Sequence, residues 1–412
     1  MSINAKIAWR NIWRNKRRSL LTISAILFAS SLLIFSISLQ FSSYDTMIDA
    51  AVKRHTGHLQ VQADGYNKDK KIRLVVEFPM QVIQAIQDLP LISAISRRAN
   101  SFCLVSSDRR TYGIWVVGVD VAREKEVTTI FQVIRKGSYL ENENGYEAII
   151  GTILAKNLAV DVGDELVLLG QGLDGSIAAS VVRVRGIFST GQPDFDRSSL
   201  QMPLKTFQET FSMGDSVHEL VVITKDLDKL PALAQAVRER LRSSFPSDSL
   251  QVLTWQDLLP GLDQSIQVDM VSGWINYSIL VIIVAFGIMN TFVMSVMERT
   301  REFGMLLSLG MRPGQVVKLV LLESTFMSLL GIFFGIIGGC LLTYYFQIHG
   351  FEIPGAGDIM AQWGMPSRMW PRLSLISILM GPAVILMVTL VMAVFPVLRI
   401  FRLEPAKALR AV

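Results

Sequence analysis

Residues able to carry chemistry are few in this chain, and each sits in a pattern with a definite structural requirement. Gly170, Gly172 and Gly175 in GQGLDG match the dinucleotide pattern G-x-G-x-x-G. That pattern works only when a helix follows the last glycine, because the pyrophosphate rests on the helix N-terminus. Here Ser176–Arg185 alternates apolar and polar residues as a strand does, so the glycines predict a hairpin turn. His55 and His58 stand three apart, a spacing that holds a metal on a helix, but Gly57 between them weakens a helix and no third ligand lies nearby. They are expected to be polar surface residues, and no metal site is expected. Cys103 lies in the segment between the first two long apolar runs and Cys340 inside the third, so the two are expected at different depths and not to pair. The chain has no G-x-x-x-x-G-K-[ST], G-x-S-x-G, H-E-x-x-H or C-x-x-C, and only four histidines. ATP hydrolysis through a Walker loop is excluded, and no catalytic residue or bound cofactor is expected in this chain.

The elements that would position any site are dominated by four runs free of Asp, Glu, Lys and Arg: Ser19–Tyr44, Met270–Met297, Ser324–Phe351 and Leu373–Leu398. A helical run of this length spans about 39 Å against a hydrocarbon core of about 30 Å. Half of all residues are hydrophobic and only 18% are charged. The first run is too long for the apolar region of a cleaved signal peptide and is read as a retained span. Flanking charge gives an orientation. The segments 1–18, 298–323 and 399–412 together carry +10, the loop 348–372 is neutral, and 45–269 carries −5. The basic segments are therefore expected on the cytoplasmic side and the 225-residue segment 45–269 outside. The basic balance is accounted for by topology, and no nucleic-acid partner is expected. Gln40, Asn276, Asn290 and Gln347 are the main polar groups within the runs, and among Asp, Glu, Lys, Arg and His only His349 occurs, at an edge. That favours an apolar substrate, or none crossing, over an ion path.

Between the spans, finer patterns appear. IAWRNIWRNKRRS places Ile7, Ala8, Ile12 and Trp13 among arginines, as in an amphipathic helix at a lipid interface or a simple basic anchor. The segment 45–269 reads as α+β. A helix over Pro79–Leu89 precedes strands in AISRRANSFCLVSS and RTYGIWVVGVD, and HELVVIT, LPALAQAVRERLRSSF and SLQVLTW repeat a strand–helix–strand order. Residues 124–214 are strand-rich and read as a β-subdomain inserted into the first. Gly331, Gly335 and Gly339 recur every four residues in the third run, a spacing for close helix contact, either between subunits or inside one bundle. MERTREFGMLLSLGMRPGQ after the second run predicts a short helix broken at Gly310 and restarted near Pro313. Its apolar side, Phe303, Leu306 and Leu307, is expected to be covered by a cytoplasmic partner protein.

At ERTREFGMLLSLGM the chain resembles the MacB/FtsX-type ABC transporter permeases, called mechanotransmitters. AWRNIWRNKRRSLLTISAI and RLEPAKALR are similar to that family's two ends, and GHLQVQADGY, IIGTILAKNLAVDVGDELVL, VRGIFSTG and VLTWQDLLPGL to its lipoprotein-releasing (LolC/LolE-like) branch. The resemblance covers essentially the whole chain. It implies a four-span α-helical membrane protein with a porter-like subdomain and an inserted β-subdomain. It also implies a second permease copy or paralogue, and a cytoplasmic ABC ATPase dimer that binds the ATP and Mg. Thr300–Gly310 would be the coupling helix, so Glu298, Arg301, Glu302, Phe303, Gly304, Leu306, Leu307 and Gly310 are the expected coupling residues.

The resulting layout is an amphipathic helix at 1–18, spans at 19–44, 270–297, 319–347 and 373–398, an external domain at 45–269, a coupling segment at 298–318, an external loop at 348–372 and a cytoplasmic tail at 399–412. The expected function is that of an inner-membrane permease extracting lipoprotein or another amphiphile. Its cargo cleft would be formed by Phe35, Leu39, Gln40, Phe41, Ile275, Asn276 and Tyr277, and membrane lipids and a periplasmic chaperone or adaptor are further partners. Two alternatives stay open: a MacB-like pump for periplasmic peptides or toxins, and an FtsX-like transmitter that transports nothing. A domain of 225 residues counts against the last.

Overall fold

A computed structural model describes residues 3–245, 250–352, 354–355 and 368–398. The tail 399–412 with its RLEPAKALR motif, and most of the loop 348–372, lie outside the described residues. The chain divides into two units, one of residues 1–44, 266–353 and 368–412, the other of residues 45–265 and 354–367.

The first unit is helical. An N-terminal helix (Ile3–Arg14) leads into the first span helix (Lys16–Ala51), and the other long helices are Pro260–Glu298, Pro313–His349 and Leu375–Leu398. All four are long and apolar enough to cross a membrane. The first three have 36, 39 and 37 residues. At 1.5 Å per residue these lengths are about 54–58 Å, well beyond a ~30 Å hydrocarbon core. The first runs on to Ala51 because DTMIDAA contains neither glycine nor proline to stop it. The bundle core brings together Ile26, Ala29 and Leu33 of the first span, Ile288 and Phe292 of the second, Met327 of the third and Ile385 of the fourth. The glycine repeat packs inside this bundle. Cβ atoms at Gly331, Gly335 and Gly339 would meet Ile26, Ser30 and Ile34 of the first span at 2.7, 2.6 and 3.0 Å. Only a bare backbone fits, and the Ser31 hydroxyl donates to the Gly335 carbonyl at 2.9 Å across the contact.

The second unit is built on ten strands: β1 (Leu59–Ala63), β2 (Ile92–Ser106), β3 (Thr111–Val119), β4 (Ile134–Gly137), β5 (Glu147–Gly151), β6 (Glu165–Gln171), β7 (Ile177–Phe188), β8 (Ser199–Pro203), β9 (Glu219–Thr224) and β10 (Leu250–Thr254). Their order is β10-β1-β9-β2-β3-β8-β5-β7-β4, and β6 bridges β7 and the far half of β2. Strands β2, β3, β8, β5, β7 and β6 therefore close on themselves. Its lining includes Cys103, Val105, Ile114, Val116, Leu166, Leu168 and Val182, all buried by the alternation of their strands. The near half of β2 instead joins β9, β1 and β10, beside the helices Pro79–Ile86 and Leu230–Ser244. Strand-rich residues 124–214 thus do not form a sheet of their own. They complete a barrel with β2 and β3, and the 15-residue β2 serves both halves.

Candidate functional site

The short helix Thr300–Ser308 begins two residues after the second span helix ends, and a left-handed Gly310 (φ 93°) separates it from Pro313 and the third. Its apolar side is covered by the chain itself. Phe303 is fully buried with Val296, Val316, Val320 and Val397, and Leu306 and Leu307 pack against that cluster. Gly304 is buried too. This corrects the expectation that a partner protein covers Phe303, Leu306 and Leu307. The two flanking spans turn back around the helix and bring their own valines to it. The face left exposed carries Arg301, Met305, Ser308 and Leu309, with Leu309 80% exposed, and Gly310 follows it.

Polar contacts anchor the same helix. The Arg299 guanidinium donates to Glu323 at 2.6 Å and to Glu302 at 3.0 Å, and the Arg299 and Glu323 side chains are only 7% and 6% exposed. Burial pulls the Arg299 pKa down, but Glu323 and Glu302 together hold it above its ordinary value. Glu302 also receives Arg14, whose second contact is 2.6 Å. Burial favours the neutral acid there, yet the Arg14 and Arg299 hydrogen bonds keep its pKa below the usual range. Arg18 reaches Glu298 at 3.1 Å, and Asn11 donates to the other oxygen of Glu323. The N-terminal helix, the first span and the third span are thereby tied to one segment. Asn11, Arg14, Arg18, Arg299 and Glu323 were not among the expected coupling residues. The signal available was a lone acid, Glu323, beside a charge-free run. In the N-terminal helix Ala8 and Ile12 are buried while Ile7, Trp9 and Trp13 are exposed, and the Trp9 ring meets Phe326 edge-on at 5.9 Å.

At the opposite end of the first span, a chain of hydrogen bonds crosses to the second. Tyr277 donates to the Gln40 side-chain oxygen Oε1, the Gln40 side-chain Nε2 donates to the Tyr44 hydroxyl, and Tyr44 donates to the Asp269 carboxylate, each at 2.7 Å. Gly273 makes room for it, since a Cβ there would stand 2.3 Å from the Gln40 amide nitrogen. Of the expected cleft residues, Gln40, Phe41 and Tyr277 come together here. Phe35 does not. Its ring packs against Phe346 and Phe351 at 5.4 and 5.7 Å, toward the third span. Leu39 is half-buried, while Ile275 and Asn276 lie exposed on the second span. Tyr44 and Asp269 complete the polar chain, and Asp269 was missed as a cleft residue because it lies just outside a charge-free run.

In the second unit, His58 is buried, correcting its assignment to the surface. Its Nδ1 accepts the Thr224 N–H at 3.1 Å, because the turn at Gly57 folds it under β9. His55 is partly buried, and burial together with the charges of Arg98 and Lys70 lowers its pKa well below the ordinary value. GQGLDG is the β6–β7 turn, with the Gly172 N–H bonded to the Ser176 carbonyl at 2.9 Å and a strand, not a helix, after Gly175. Both cysteines are free thiols.

Four apolar span helices, a short anchored helix between the second and third, and a large α/β domain define a class of polytopic membrane protein. Comparison with known families matches residues 19–240 to a MacB-like periplasmic core domain and residues 275–405 to an FtsX-like permease C-terminal domain. The chain belongs to the MacB/FtsX family of ABC transporter permeases. Among similar proteins, the lipoprotein-releasing system transmembrane protein LolC of Xylella fastidiosa is 24% identical over 307 residues, 71% of this chain and 72% of that one. The macrolide export ATP-binding/permease protein MacB of Campylobacter jejuni is 20% identical over 359 residues, 85% of this chain and 54% of that one. The crystal structure of the periplasmic region of MacB from Actinobacillus actinomycetemcomitans aligns with a TM-score of 0.37 at 13% identity, covering 52% of this chain and 94% of that one.

Proposed function

We propose that the chain is the permease of an ATP-driven machine that extracts lipoprotein, or another acylated amphiphile, from the cytoplasmic membrane. In this reading both termini face the cytoplasm, a separate ABC ATPase docks on the short helix Thr300–Ser308, and a second permease copy or paralogue completes the cleft. The observation that carries it is the division of that helix. One side is fixed to three spans by Phe303 and by the Arg299–Glu323 pair, while Met305 and Leu309 stand exposed. A displacement applied to the exposed side is then carried by the buried side into the span helices, instead of being absorbed by a loose loop. The lipoprotein-releasing name of a relative matched over most of its length, and four long runs without Asp, Glu, Lys or Arg, favour an amphiphile over a soluble solute.

The test contrasts the two sides. Leu309→Asp alters a residue in solvent and should leave stability within about 0.5 kcal/mol, yet abolish docking. Phe303→Ala should destabilise the fold by about 3–5 kcal/mol. The readout is recovery of an ABC-type ATPase with the tagged chain from its native membranes. Undiminished recovery with Leu309→Asp and Met305→Asp would remove the docking assignment.

A further inference from the structure

The face of the sheet shared by the two halves of the large domain carries a cavity of about 430 Å³, bordered by Tyr66, Lys70, Asn100, Trp115 and Glu219. Its chemistry follows from strand register. Gln62 of β1 stands opposite Glu219 of β9, which stands opposite Arg98 of β2, so the three share one face. Asn100, two residues along β2, falls on the same face opposite Val117. Glu219, Gln62 and Asn100 are 3%, 0% and 7% exposed. At the cavity, one carboxylate oxygen of Glu219 and the amide oxygen of Asn100 have no hydrogen-bond partner among the described residues, and neither has the amide oxygen of Gln62, which neighbours Glu219 without lining the cavity. All three atoms are acceptors. The amide nitrogen of Gln62 is already engaged with Gln60, and that of Asn100 with the Tyr66 hydroxyl at 3.2 Å. Buried acceptors of this kind are normally matched by donors, and one of them belongs to an acid.

Lys70 indicates what suits the site. Its ammonium lies 4.8 Å from the Tyr66 ring centre and 3.7 Å from Glu219, beyond hydrogen-bond range, with 38% of the side chain exposed. A cation is thus held loosely at the mouth, beside aromatic faces that attract positive charge. Trp115, edge-on to Phe102 at 5.7 Å, extends the aromatic wall toward solvent.

We propose that this cavity binds an organic cation, a primary ammonium or guanidinium group on an aliphatic stem, with Glu219 as counter-ion and Lys70 as the plug it displaces. The group could belong to a free amine or to a lysine or arginine side chain of a polypeptide. Calorimetric titration of the purified full-length chain in a non-ionic detergent distinguishes them. Agmatine represents the free cation, and a terminally blocked tripeptide with a central arginine represents the polypeptide. Saturable binding by agmatine alone assigns a free cation, and by the peptide alone a polypeptide. If both bind, the guanidinium itself is what the cavity recognises. Lys70→Gln removes the competing charge and should tighten binding about tenfold, and Glu219→Gln should weaken it at least about tenfold. Butylurea, neutral and of similar size, should give no heat. The proposal is overturned if neither probe binds the wild-type chain or Lys70→Gln, which leaves a water-filled cavity only. It is equally overturned if a folded Glu219→Gln binds as well as wild type. Should Glu219→Gln not fold, unchanged affinity in Lys70→Gln is the contrary result.

Discussion

Replacing Arg299 by methionine removes the cation from a pair in which neither side chain is more than 7% exposed. Glu323 would keep one donor, the Asn11 amide, on a carboxylate that has little access to water. Stranding one member of such a pair costs about 3–5 kcal/mol, and Glu323→Met should strand Arg299 to a smaller extent because Glu302 remains as a partner. The double variant with methionine at both positions has no stranded charge and similar volume, so it should lie close to wild type. The two single changes should therefore be strongly non-additive, with a coupling energy of at least about 3–5 kcal/mol. Equilibrium unfolding of the purified full-length chain in mixed micelles measures all four corners of the cycle. Additivity to within about 0.5 kcal/mol would refute the buried pair as an anchor of the short helix.

Two further predictions concern other parts of the molecule. Gly335→Val puts side-chain carbon where Ser30 already stands, with the Leu27 carbonyl 3.1 Å away, and should cost about 1–3 kcal/mol by the same unfolding measurement. Ser30→Gly should recover part of that loss, and no recovery would place the strain elsewhere. Burial lowers the His218 pKa from 6.5 to about 4, with its Nδ1 accepting the Asn100 N–H and the other nitrogen donating to the Ile72 carbonyl. Between those values the unfolded chain binds a proton that the folded chain does not. Stability should then fall as pH drops from about 6.5 to 4, with His218 contributing about 3 kcal/mol. Unfolding of wild type and His218→Asn across that range should differ in slope by one proton's share, and parallel curves would contradict it.

The spans were legible because absence of charge over 26 or more residues is a pattern with few other uses. How far the first helix overruns its apolar run was recorded only negatively, in the lack of a breaker before Gly57. At the short helix, a one-sided apolar pattern discloses that Phe303 is buried but not by what. The cover comes from Val296, Val316, Val320 and Val397, and only the fold brings that last residue near. The same limit hid Arg299–Glu323, a pair separated by 24 positions. Strand alternation located β2 but could not disclose that one strand serves a barrel at one end and an open sheet at the other. For the histidine pair, Gly57 was legible as a weak point in a helix, but the turn it makes, which carries His58 under β9, belongs to the tertiary fold.

The most direct test of the proposed function is to find what meets the proposed membrane cleft in the presence of an ABC ATPase. A photo-crosslinker is placed at Leu39 and, separately, at the exposed Ile275, in membranes containing the chain with its ATPase. Capture of lipid or acylated protein at these positions, lost when ATP is supplied to a competent ATPase, is the expected result. An acyl chain buries about 0.8 kcal/mol per methylene, which suits the proposed cleft beside Phe41, where Tyr277 and Gln40 are hydrogen-bonded. Crosslinks found only from the large domain, and only to an unlipidated peptide or an adaptor protein, would contradict extraction of an amphiphile and favour a pump for soluble cargo.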